Sequence, residues 1–367
     1  MRTWGIAALV LGLVACRHGY DSLGETDSID AARAWWDDAW NERRRLRFDN
    51  TGQAQSLVDF PVLVTLDSSV VDKCMPQGED LRFVDVDGTV LSHEIEEWDL
   101  GGEALVWVNV PQIDGASSDD SIWLYFDNPA ATDLQQAAAV WNSEYLAVWH
   151  LRDDPVSVGG NEIIDATSNA HFGTSQGAMT SEDVVDGQIG KGLDFDGSDD
   201  YLSSALASDT FTELTFSAWF RARDAGAVAD NLLAQRLVSQ KRTLSNSRAA
   251  LGVNRDRIAS YWWNGDHNVA EGTTVLEPGV LYHATLSFEG STFVLFLDGL
   301  EEARWQEPNL TAPSVDDVRI GHQSLAEGRY LNGVIDEVRV SNIARSSDWI
   351  RAQYLSQSGA FVSIESE

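Results

Sequence analysis

Basic residues are scarce in this chain of 367 residues: 25 Lys and Arg stand against 58 Asp and Glu, a formal net charge of −33. That excludes a basic nucleic-acid footprint, and with it sustained binding of bare phosphate polymers. Cysteine is scarcer still. Two cysteines cannot build a disulfide scaffold, and no C-x-x-C pair is present to hold zinc. The N-terminal apolar run, Trp4 to Ala15, is too short to cross about 30 Å of hydrocarbon. What is present is 43% apolar and 23% charged residues, a globular composition, with 14 tryptophans, many inside alternating segments. The length allows two or three domains of roughly 100–200 residues each.

Arg2 followed by the apolar run reads as a secretory signal, and the run ends in Leu13-Val14-Ala15-Cys16. These four residues resemble a bacterial lipobox. The resemblance implies cleavage before Cys16 and a diacylglycerol on its sulfur, with acylation of the new N-terminus. Several acyl chains give stable anchoring where one is marginal. An ordinary secretory signal with an incidental cysteine is the plainer alternative. Arg17 is not the Asp that marks inner-membrane retention in enteric bacteria, which points to the outer membrane or cell surface. Removing residues 1–15 takes away one arginine and no acid, so the mature charge is about −34. Residues 16–34 form a lipidated tether, and its polar stretch of 18 residues after Cys16 spans roughly 25 Å root-mean-square. With Cys16 lipidated, Cys74 has no partner and is expected to be a partly buried, unreactive thiol.

The body consists of two runs of short strands. Over residues 35–132, period-2 segments recur at Arg45–Asp49, Phe60–Leu66, Leu81–Asp85, Val90–Trp98, Leu105–Val110 and Ile122–Phe126, which argues for a β-sandwich. Leu105–Val110 is apolar at nearly every position, as expected of a strand covered on both faces. Asp85-Val86-Asp87-Gly88 reads as a hairpin turn. The ordered series Trp36–Trp40, Arg43–Arg47, Phe60–Val64, Asp80–Phe83, Glu94–Asp99, Val106–Val108 and Trp123–Pro129 resembles a bacterial family of unknown function. Its members are found in surface and exported proteins, and some are fused to ExbB/TolQ-like transport proteins. No catalytic residues are established for that family, so the resemblance brings no chemistry.

Residues 133–144 read as a connector, and 145–358 as a second domain. Its expected strands include Phe216–Arg221, Ala249–Asn254, Ile258–Trp263 and Val318–Gly321, with a hairpin Ala284–Phe288/Thr292–Leu297. A helix is expected to start at Ser346-Ser347, whose hydroxyls can cap it, and to run through Trp349 to Leu355. Val148–Leu151, Asp165–Asn169, Gly192–Tyr201, Phe216–Phe220, Phe296–Gly299 and Gly333–Val340 together resemble the LamG-like, concanavalin A-like jelly roll. That family includes glycan binders, adhesion modules and enzyme-appended modules, so the fold does not dictate the function.

Several chemical-looking motifs fail on inspection. Gly173–Gly177 matches G-x-S-x-G, but no helix pattern follows, as a nucleophile elbow requires. His93-Glu94 opens like H-E-x-x-H, but position 97 is Glu97. Phe83–Glu94 imitates a calcium loop, with Phe83 where the first ligand belongs. Glu97-Trp98-Asp99 lacks the further carboxylate of a jelly-roll glucanase. The resemblance implies a calcium ion at the sandwich edge, with Asp165, Asp196 and Asp336 as expected ligands. The alternative is that Asp165 and Asp196 cap turns and that Asp336 serves the fold. For a ligand surface the expected residues are Trp262, Trp263, Asn264, Asp266 and His267, with Trp305, His322 and Tyr330 on the same rim. Adjacent tryptophans on a strand point to opposite faces, so at most one of Trp262 and Trp263 is core.

The sequence therefore predicts an all-β protein: two jelly-roll-type β-sandwich domains in tandem with a short C-terminal helix. Its expected role is that of a non-catalytic binding or adhesion lipoprotein of the bacterial envelope. The expected partner is a glycan or an extracellular or envelope protein. The expected covalent lipid is on Cys16, and membrane contact is through the lipid alone. A protein-scaffolding module and a polysaccharide-active enzyme are the competing readings.

Overall fold

The computed structural model describes residues 35–156, 160–206, 213–224, 235–241, 249–263, 267–307, 317–322 and 329–365, with only the backbone for Lys241, Trp263 and His267. The signal segment, Cys16 and the tether lie outside these residues. The chain from Asp37 to Glu367 forms one compact unit. Among the described residues no helix is long and apolar enough to cross a membrane.

Two all-β sandwiches make up this unit. In the first, a five-stranded antiparallel sheet runs in the order Val362–Glu365, Glu42–Phe48, Ser121–Phe126, Arg82–Val84, Val90–Leu91. It faces a three-stranded sheet ordered Leu57–Leu66, Ala104–Ile113, His93–Trp98. The period-2 pattern explains the packing. Val106, Val108 and Val110 meet Phe60, Val62 and Val64 in the core, whereas Trp107 leaves by the opposite face into a separate apolar cluster. The strand is thus covered on both sides, as its composition predicts. The Asp85–Gly88 hairpin also forms, closed by Gly88 N donating to Asp85 O, with Gly88 at φ +89°. Phe83 faces the core beside His93, so neither takes the role of a ligand.

In the second sandwich, an eight-stranded sheet is built around the long central strands Asn332–Ser341 and Glu213–Ala222, and Tyr145–Trp149 pairs with Asn332–Ser341. The opposing seven-stranded sheet runs His267–Glu271, Arg257–Trp263, Ala249–Asn254, Gln235–Lys241, Asp317–Ile320, Tyr201–Ser204, Gly173–Gln176. Leu214, Phe216, Ala218 and Phe220 from one sheet pack on Leu202, Leu251, Ile258 and Ile320 from the other. Gly173–Gln176 is a strand, and the Ser175 hydroxyl is held 2.6 Å from the Glu162 carboxylate, so this serine sits on no nucleophile elbow.

The C-terminal segment joins the two sandwiches. Ser346 caps the helix Ser347–Gln357 by accepting a bond from Trp349 N at 3.1 Å. Trp349 and Ala352 enter the core of the first sandwich. Gln353 and Gln357 face the second, bonding Ser217 and the Trp219 indole. Gly359, at φ +77°, turns the chain out of the helix. Phe361 then fills the first core, and Val362–Glu365 pairs along Glu42–Phe48. The helix expected within residues 145–358 is therefore shared, and the residues after 358 complete the sheet with which the fold begins.

Candidate functional site

The predicted rim residues separate into core and surface. Trp262 is core: it is 6% exposed, and its indole donates to Glu307 at 2.9 Å. It stacks on Trp305 at 5.1 Å between ring centroids, and Trp305 stacks on Phe293 at 5.3 Å. Strand parity puts Trp262 on the inward side with Ile258, so it seals the sandwich instead of presenting a face to ligand. Trp305, half-buried against the same core, closes that stack. Asn264 and Asp266 lie outside the described residues, and the side chains of Trp263 and His267 are not described.

Tyr330 is partly exposed and stacks on His322, which is itself buried. Their rings stack at 3.8 Å, and Tyr201 adds a third ring, 5.2 Å from His322. Tyr201 projects from the outer face of the seven-stranded sheet, because its neighbour Leu202 points into the core. Arg319, on the same face, lies 4.8 Å above the Tyr201 ring and pairs with Asp317. Tyr201 and Tyr330 remain partly exposed. The rings adjoin the Asp196–Asp200 turn, since a Cβ on Gly321, next to His322, would come within 3.5 Å of the Asp200 carbonyl. In that turn one carboxylate oxygen each of Asp196, Asp199 and Asp200 lies within 4.8 Å of the others. Asp200 is pushed up to about 6, first by burial and then by Asp196, Asp183 and Asp199 around it.

The expected calcium set does not converge. Asp165 is 5% exposed and accepts bonds from Val148 N, Thr167 N, the Thr167 hydroxyl and His171 N, which occupy its carboxylate as a loop cap. Asp336 is buried in the Asn332–Ser341 strand and accepts from Gln188 N and Ile189 N. Burial, then Glu337, holds its carboxyl well above the usual range. Asp196 accepts from Ser198 N and Asp199 N in its own turn. Only Asp196 joins a carboxylate cluster, and its partners there are Asp199 and Asp200.

A second constellation lies in the seam between the sandwiches. His150 Nδ1 is 2.5 Å from Glu337 and 3.0 Å from Glu96, and its Nε2 is 3.4 Å from Glu94. Arg152 reaches Glu94 and Glu96, and Arg339 pairs with Glu337 at 2.7 Å. Arg339 also lies 4.4 Å from the Trp107 ring centre and 4.7 Å from that of Trp141. A bulge at Ile95–Glu97, where Arg152 bonds the carbonyls of residues 95 and 96, aims both glutamates into the seam. Burial alone would lower the His150 imidazolium; Glu337, Glu96 and Glu94 outweigh it and hold it well above its ordinary value. Burial would raise Glu337, but His150 and Arg339 bring it below the usual range. Glu96 is pushed up to about 7, chiefly by burial. Three carboxylates thus face three cations. Glu96 and Glu337 have fully buried side chains, which puts the cluster beyond the reach of substrate. The sequence reading missed it. A usable signal was three charged pairs at i, i+2 spacing around apolar strands: Glu94/Glu96, His150/Arg152 and Glu337/Arg339.

A cleft of about 260 Å³ opens where Phe220, Val253, Leu276 and Val280 meet. Most of its lining is apolar, and Asp224, Arg255, Asp256 and Glu277 also border it.

Two family models match the chain. Residues 196–351 match the concanavalin A-like lectin/glucanases superfamily. Residues 77–170 match the domain of unknown function DUF2341. No curated protein matches the chain. Among solved structures, one similar chain is the binding domain of botulinum neurotoxin DC in complex with rat synaptotagmin II, at 9% identity and TM-score 0.45, covering 59% of this chain and 52% of that one. Another is domain 4 of AbnA, a GH43 extracellular arabinanase from Geobacillus stearothermophilus, in complex with arabinotriose, at 14% identity and TM-score 0.44, covering 57% and 97%. The binding domain of Paraclostridial Mosquitocidal Protein 1 matches at 13% identity and TM-score 0.44, covering 57% and 52%. This chain spans about half the length of the two toxin binding domains it matches. The chain thus carries a DUF2341 domain followed by a LamG-like, concanavalin A-like domain.

Proposed function

We propose that the chain is an envelope lipoprotein, held by lipid on Cys16, that binds carbohydrate on the outer face of the seven-stranded sheet without transforming it. The observation that carries this reading is the pair of partly exposed rings, Tyr201 and Tyr330, packed on the buried His322, with Arg319 beside them and three aspartates adjoining. Ring faces offer flat apolar area to a sugar, and the guanidinium and carboxylates offer directional bonds to its hydroxyls. The turn of Asp196, Asp199 and Asp200 supplies the hard oxygen donors that calcium prefers. Burial raises Asp200 first and its acidic neighbours second, and a cation there would relieve the repulsion among those neighbours. Binding is favoured over catalysis because the closely grouped carboxylates of the seam are sealed from substrate.

The test is a glycan array with the full-length chain, with and without calcium, followed by titration of the best ligand. Tyr330→Ala should weaken that ligand at least tenfold while leaving the thermal midpoint nearly unchanged, and Asp199→Ala should abolish any gain from calcium. Absence of binding to every glycan with calcium present, or unchanged affinity in Tyr330→Ala, refutes the reading.

A further inference from the structure

The seam between the sandwiches holds buried charges where apolar side chains would pack at less cost in desolvation. Its backbone is strained at the same place: Glu337 has φ +53° inside a strand, and Leu151, directly after His150, has φ +62°. Conformations of this kind persist only where the surroundings over-determine them.

The imidazole explains what the surroundings are arranged around. Both ring nitrogens of His150 face carboxylates, Nδ1 toward Glu337 and Glu96, Nε2 toward Glu94. A neutral imidazole carries one N–H and would point the lone pair of its other nitrogen at a carboxylate. While these carboxylates are ionised, only the doubly protonated ring satisfies both sides. Glu94 and Glu96 belong to the first sandwich, His150 and Glu337 to the second, so the second ring proton ties one to the other. We propose that His150 is a proton-operated latch: the imidazolium holds the Glu94–Glu96 strand against Glu337, and loss of its proton loosens the two sandwiches at this contact.

Each packed element contributes to the balance. His93–Trp98 brings Glu94 and Glu96. Asn332–Ser341 brings Asp336, Glu337 and Arg339. The segment after His150 brings Arg152 and Asp153. Burial and Glu337 raise Asp336 well above the ordinary carboxylate range, so the groups that face one another are Glu94, Glu96 and Glu337 on one side and His150, Arg152 and Arg339 on the other. Trp107 and Trp141 flank the ring at 6.2 and 5.6 Å. The apolar seam of Leu63, Trp107, Trp141, Tyr145 and Val148 does not titrate. Opening the latch therefore loosens the contact without separating the sandwiches. The latch is shut below the His150 titration for as long as its partner carboxylates stay ionised, and it opens as the pH rises through that titration.

The experiment follows the full-length chain labelled on its histidine rings by NMR across pH, alongside amide hydrogen exchange corrected for intrinsic base catalysis. His150 should stay imidazolium to clearly higher pH than an exposed histidine. Its deprotonation should coincide with an exchange increase of about tenfold in His93–Trp98 and Tyr145–Trp149. Glu96→Gln removes one carboxylate and should move the ring titration and the exchange step together to lower pH. A neutral His150 ring at pH 7, exchange that is flat across its titration, or a ring shift that zinc induces and a chelator reverses would each overturn the proposal. If Glu96→Gln fails to fold, the titration of the unaltered chain decides alone.

Discussion

Phe361 lies past the residue at which the sequence ends the second domain, yet it sits in the core of the first. It is 1% exposed, with its ring 5.8 Å from Phe60 and 6.2 Å from Phe48. Replacing it with alanine removes an aromatic side chain that buries about 150–250 Å², which at about 25 cal/mol per Å² sets an upper bound near 4–6 kcal/mol. Phe→Ala substitutions in packed cores cost about 3–5 kcal/mol, and that is the expected loss here. Such a loss is a large share of the 5–15 kcal/mol by which a domain is ordinarily stable. Urea unfolding of the full-length chain, followed by far-ultraviolet circular dichroism and tryptophan fluorescence, measures it. Ser363→Ala serves as the control. It lies two residues on, pairs with Arg47 and is exposed, so its effect should stay within about 0.5 kcal/mol. Loss of less than about 1 kcal/mol for Phe361→Ala, or an equal loss for both variants, refutes the claim that the C-terminal strand completes the first sandwich.

Two further outcomes follow from the titrating groups. Asp200 has its folded pKa raised to about 6, so the folded state binds the extra proton between the ordinary carboxylate range and that value, and the stability it contributes is lost as pH rises through about 6. In calcium-free buffer the thermal midpoint should fall across that window, Asp200→Asn should flatten the fall, and a flat profile in the unaltered chain contradicts the reading. The Cys74 thiol is raised far above its ordinary value by burial, then by Asp80 and Asp127, and it leans on the Val70 carbonyl. In the lipidated chain it should react with a disulfide reagent only after denaturation, and rapid reaction of the native protein would show the site to be open.

The fold was legible in the sequence wherever a local period determines a face. Val106 and Val108 against Trp107 state in six residues that a strand has two buried sides, and Ser346 announces its helix by capping chemistry alone. Parity is weaker where it must choose. Adjacent Trp262 and Trp263 require one inward ring but do not say which, and the register that turns Trp262 inward comes from its pairing with Ala249. The calcium set failed for a different reason. A resemblance supplies positions, whereas the backbone N–H groups that occupy Asp165 come from a loop closed only in three dimensions. The seam was the least legible part, because His150 and Glu337 meet across 187 residues. Each member taken singly is an ordinary charge on a strand.

Directional bonds in the seam also bear on how a ligand would be held. Two sheet faces packed through apolar side chains resist separation, but they resist sliding weakly, because the hydrophobic effect follows buried area and has no preferred direction. Ion pairs and hydrogen bonds do have a direction. Arg152 bonds two carbonyls at the Ile95–Glu97 bulge, and His150 reaches Glu94 and Glu96 across the same seam. The strand that carries Glu337 begins at Asn332, two residues after Tyr330 of the aromatic rim, so about 23 Å of chain at most separates the seam from the ring stack. Under the proposed function, a pull between a glycan on that rim and lipid on Cys16 passes in series through the second sandwich, the seam, the first sandwich and the tether. The seam is then the point where a purely apolar contact would slip first, and that is where Glu94, Glu96, His150, Glu337 and Arg339 are buried.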